Sequence, residues 1–123
     1  MKTYHKQLSL QELSYLRERF SVLTFSSPCN IVYEDQIPPA GIILLGGEGT
    51  FTLNNQEFEK VTPGALLGVH HFLRNEPAMF GCKIMENSEV ILLTRSVMLE
   101  ILEGGDPSLQ ALLFEGLGRP ITQ

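Results

Sequence analysis

Tryptophan is absent from this chain, cysteine occurs only twice, and basic residues are outnumbered by acidic ones. Each shortage excludes something. Cys29 and Cys82 form neither a Cys-x-x-Cys pair nor the density of a disulfide framework, so two reduced thiols are expected. Nine Lys and Arg stand against 14 Asp and Glu, a net charge of −5. The nine are scattered from Lys2 to Arg119 instead of forming a stripe, which argues against nucleic acid as a partner. The longest apolar run, 40–47, is far too short to cross a bilayer. The opening Met-Lys-Thr-Tyr-His-Lys-Gln is polar and no apolar stretch follows it, so a cytoplasmic protein is expected. Catalytic motifs are missing too. Gly46-Gly-Glu-Gly49 and Gly104-Gly105 lack the Lys-Ser/Thr sequel of a phosphate loop, and no nucleophile elbow or catalytic carboxylate pair occurs.

What is present suits one globular domain over residues 1–123: 43% hydrophobic, 19% charged, and no low-complexity tract. A chain of this length buries roughly two-thirds of its unfolded surface in a single core. Ser9-Leu-Gln-Glu12 is a capping box, and Leu10, Leu13, Leu16 and Phe20 follow at helical spacing, predicting a helix over about 10–20. From 21 to 95 short β-rich runs alternate with Pro, Gly, Asn and Asp, at 22–25, 31–33, 42–45, 50–53, 57–61, 79–85 and 90–94. This punctuation predicts an antiparallel sandwich or barrel. A two-residue turn at Asn54-Asn55 suits a type I′ hairpin. It would pair Phe51 with Phe58, Thr52 with Glu57 and Thr50 with Glu59. Two helices close the chain over about 96–117, the first capped by Ser96 and the second opened by Asp106-Pro107. The second, 107–117, is apolar nearly all round, so it wants more than one neighbour, and a homodimer contact or its own β-roll would each supply one.

The segment 68–79, with Leu67-Gly68 leading to Pro77, resembles the phosphate-binding cassette of cyclic-nucleotide-binding domains. The order of helix, short strands, cassette and two helices is similar to that family over nearly the whole chain. So are Ile42-Ile-Leu-Leu-Gly-Gly-Glu-Gly-Thr-Phe-Thr-Leu, the approach Val61-Thr-Pro-Gly64-Ala-Leu-Leu67-Gly68, and the exit 89–102. The resemblance implies a mainly β fold, an antiparallel β-roll or jelly roll, with an N-terminal and two C-terminal helices. Pro28 and Glu34-Asp35 stand where family glycines often occur, so different early turns are expected.

The cassette's Glu, which grips the ribose hydroxyl, is here Val69, and its Arg, which grips the cyclic phosphate, is Ala78. Charge-assisted hydrogen bonds are worth roughly 1.5–3 kcal/mol each, so losing both implies a degenerate site that does not take ordinary cAMP or cGMP. No cofactor and no catalysis are expected. The implied function is a regulatory or signalling module, bacterial in style, that acts through another protein.

The candidate site residues are Gly68, Val69, His70, His71, Arg74, Pro77, Ala78, Met79 and Lys83. One alternative is a sensor of an atypical nucleotide, cyclic dinucleotides included, held by cassette backbone amides with Arg74 and Lys83. A second is a cupin-like metalloenzyme, because Gly64, His70 and Glu76 fit that motif in part. Phe72 stands where its second His belongs, and His71 is a poor replacement, since neighbours on a strand face opposite ways. No metal site is expected.

Overall fold

The computed structural model describes residues 8–104 together with Pro107 and Gln110. The second C-terminal helix, and with it the proposed dimer contact, lies almost wholly outside the described residues.

Helix α1 (Leu10–Arg19) starts at the capping box: the Glu12 amide donates to Ser9 Oγ at 3.1 Å, and the Ser9 amide donates to Glu12 Oε1 at 2.8 Å. Eight strands follow in two four-stranded sheets. The inner sheet runs β1 (Leu23–Thr24), β8 (Glu89–Leu93), β3 (Gly41–Gly46) and β6 (Leu66–Leu67), in that spatial order. The outer sheet runs β2 (Cys29–Val32), β7 (Gly81–Ile84), β4 (Gly49–Leu53) and β5 (Gln56–Val61). All pairings are antiparallel. Helix α2 (Val69–Arg74) separates β6 from β7, and α3 (Arg95–Gly104) follows β8. The two-residue β6 was not foreseen, because Leu66-Leu67 is too short to show a period.

Alternation along the strands builds two hydrophobic layers. Ile42, Leu44, Leu67 and Val90 of the inner sheet face Val32, Phe51, Val61, Cys82 and Ile84 of the outer sheet. Ile43, Leu45, Leu66, Ile91 and Leu93 point the other way, against Leu13 and Leu16 of α1, Val69 and Phe72 of α2, and Met98 of α3. The inner sheet is thus the middle of three layers. An ion pair from Arg17 of α1 to Glu89 of β8, at 2.7 Å, ties the helical layer to it. No helix among the described residues is long and apolar enough to cross a membrane.

Two expectations need correction. The Asn54-Asn55 turn forms, with φ of 55° and 65°, and Thr52 pairs with Glu57. Beyond that pair the register shifts, so that Phe51 opposes Glu59 and Thr50 opposes Lys60. Phe58 is the extra residue of a bulge. Its ring still meets Phe51 at 6.2 Å and Phe80 at 5.0 Å, so the apolar contact survives the changed pairing. The second correction is at α3, which begins at Arg95, ahead of the expected start. Thr94 takes the capping role expected of Ser96, its Oγ1 accepting from the Val97 amide at 3.3 Å.

Candidate functional site: the cassette and its surroundings

Gly68 caps α2 in the left-handed region, with φ 68° and ψ 0°, a conformation that glycine adopts without steric cost. The Phe72 amide closes the first turn on the Gly68 carbonyl at 2.9 Å. Asn75, also left-handed, ends the helix, and the Glu76 amide donates back to the His71 carbonyl at 2.9 Å. The six-residue helix is therefore defined at both ends by local chemistry.

Val69 is 2% exposed and packs in the helix-side layer beside Phe72. It sits so close to β3 that a Cβ on Gly41 would lie 2.7 Å from its Cγ2. Glycine at 41 lets α2 approach the sheet. Ala78 is also 2% exposed, but it belongs to the layer between the sheets. Its backbone is engaged as well: the Ala78 amide donates to the Gln36 carbonyl at 2.9 Å, and its carbonyl accepts from the Asp35 amide at 2.8 Å. Val69 and Ala78, the two positions singled out by the resemblance, thus lie in different hydrophobic layers.

The other expected residues disperse. Arg74, Pro77 and Met79 are exposed, and His71 is partly buried. The side chain of His70 is not among those described. Lys83 is not brought to the cassette. Its register opposite Thr50, between the inward-facing Cys82 and Ile84, puts it on the outer face of the outer sheet, away from α2. Among the described residues no group of three or more His, Cys, Asp or Glu is placed to hold a metal ion.

The loop between β2 and β3 reaches the cassette instead. Asp35 takes φ 62°, so an aspartate makes the turn expected to differ from the glycine form. The Glu34 carboxylate accepts from the Asn54 amide at 2.8 and 3.0 Å, tying this loop to the β4–β5 turn. Beside it lies a shallow apolar cavity of about 180 Å³, bordered by Ile31, Tyr33, Ile37 and Pro38. A guanidinium over an aromatic face links cassette and C-terminal helix: Arg95 Cζ lies 5.1 Å from the Phe72 ring centroid. Sequence reasoning missed Gly41, Phe80 and Arg95, whose roles depend on contacts far apart in the chain.

No protein-family model matches the chain, and no curated protein matches it. Solved structures do. One belongs to work on a cyclic-GMP-dependent signalling pathway that regulates bacterial phytopathogenesis. It superimposes with a TM-score of 0.71 at 14% identity, over 89% of each chain. A transcriptional regulator from Thermotoga maritima gives 0.64 at 20% identity, over 84% of each chain. The catabolite activator protein of Thermus thermophilus gives 0.63 at 19% identity, over 89% of this chain and 51% of that one. With two antiparallel sheets, a helical cassette between β6 and β7 and a helix on each flank, this chain has the fold of the cyclic-nucleotide-binding domains.

Proposed function

We propose that this protein is a non-catalytic regulatory module that has given up the ordinary cyclic-nucleotide site and acts by contact with another protein. One observation carries the reading: Val69 and Ala78 are buried in two separate apolar layers. A ribose hydroxyl or a cyclic phosphate brought there would lose water without gaining a charged partner, and an uncompensated buried polar group costs about 1–3 kcal/mol or more. The neighbour from a cyclic-GMP-dependent pathway supports a signalling context, which we place in the cytoplasm. The surface formed by α2, the Arg95–Phe72 contact and the start of α3 is the route by which the module would meet its partner.

A thermal-shift titration against cAMP, cGMP and cyclic di-GMP tests this. A ligand at a hundred times its Kd stabilises a fold by about 2.7 kcal/mol, which moves the Tm of a domain this size by several degrees. We expect no shift with any of the three at millimolar concentration. A shift with one of them would overturn the reading.

A further inference from the structure

The register of the outer sheet aligns one residue from each of its four strands in a single cross-strand row: Asn30, Lys83, Thr50 and Lys60. Directly opposed residues share a face, and this row alternates with the inward-facing Cys82, Ile84 and Val61. The row therefore lies on the face turned away from the core. Strands are spaced about 4.8 Å apart, so the two lysine backbones stand about 10 Å apart with Thr50 midway.

Two properties of this row are unusual. Thr50 is only 9% exposed, and its hydroxyl is buried without a hydrogen-bond partner. Neither lysine has a carboxylate within 4.0 Å among the described residues. Glu34, nearby, is already engaged by the Asn54 amide. Glu57, opposite Thr52 one row along, is the nearest carboxylate on the same face by register.

We propose that this row is an oxyanion site for a phosphomonoester. By register two lysines flank one hydroxyl on the same face, three donors that a single anion can bring together. A tetrahedral dianion has enough oxygens and charge to satisfy all three together, whereas a carboxylate has two oxygens and one charge. An anion drawn between the two lysines would give the orphaned Thr50 hydroxyl a partner and balance the two like charges. The Asn30 amide adds a donor at one end of the row. The site is separate from the cassette, so it stands or falls independently of the function proposed above.

The test is amide chemical-shift titration of the intact chain by NMR with two probes. They are inorganic phosphate and a peptide bearing one phosphoserine among neutral residues; the same peptide unphosphorylated serves as control. Both phosphoryl probes should move the amides of Thr50, Lys60 and Lys83 and leave those of Gly68 to Arg74 in place. Tighter binding of the phosphopeptide assigns the source to a partner protein, and equal binding assigns it to the free anion.

Lys60→Gln and Lys83→Gln should each weaken binding about tenfold or more, the loss expected for one charge-assisted hydrogen bond. Thr50→Val should weaken it about threefold to tenfold while leaving the fold at least as stable, and Glu57→Gln should strengthen it. Absence of shifts with both probes at millimolar concentration would overturn the proposal. So would binding that survives unchanged when both lysines are replaced.

Discussion

β3, inside the inner sheet, buries five consecutive residues, whereas β5, at the end of the outer sheet, exposes five of its six. The two strands are equal in length and belong to the same roll. The difference follows from layering: β3 has helices on one side and the other sheet on the other, while β5 has a core on one side only. Ile42-Ile-Leu-Leu45 is accordingly an unbroken apolar run, and Gln56-Glu-Phe-Glu-Lys-Val61 is mostly polar. The same contrast separates the chemistry. Val69 and Ala78 were drawn into the buried layers, and the free lysines of β5 and β7 were left on the wet face.

The comparison breaks first on substitutions of size. Leu44, fully buried between the sheets, should cost about 2–5 kcal/mol when changed to Ala. Phe58, 41% exposed and held by ring contacts, should cost about 1 kcal/mol when changed to Ala. Urea unfolding of both variants decides it, and equal losses would mean that the outer sheet is as much a part of the core as the inner one.

The two cysteines sharpen the point within the outer sheet itself. Cys82 faces inward and burial pushes its thiol up to about 12, while Cys29 on β2 is exposed. A thiol whose value is raised on folding contributes fully below its ordinary 9.0 and loses that contribution as the pH climbs towards about 12. The Cys82 share should fall by up to about 1.4 kcal/mol per pH unit above 9. Comparing alkaline unfolding of Cys82→Ala with wild type isolates that slope. Native protein should also give one fast-reacting thiol per chain with an aromatic disulfide reagent, that of Cys29. The smallest effect belongs to the helical layer: Arg17→Ala removes a half-exposed ion pair and should cost less than about 1 kcal/mol, a loss that added salt reduces further.

Local chemistry made some of this legible in the sequence. The Ser9–Glu12 capping box and the Asn54-Asn55 turn are decided by neighbouring residues, and both form as read. The β-roll itself was legible from the order of its motifs. The register past Thr52 was not, because the Phe58 bulge rests on stacking with Phe51 and with Phe80, which enters from beyond the cassette. At the site, that positions 69 and 78 carry no charge could be read directly. That these side chains fall into different layers could not, since it depends on Gly41 of β3 and on the backbone of residues 35 and 36. The side of the sheet on which Lys83 lies was undecidable until its partner Thr50 was known.

The bulge at Phe58 has a consequence for how copies of this chain can meet. β5 ends the outer sheet, and its outward row of amides and carbonyls would template another strand if it were flat and apolar. The extra residue twists that margin out of line, and Glu57, Glu59 and Lys60 line it with charge. The roll is thereby guarded against growing into a continuous ribbon at this edge.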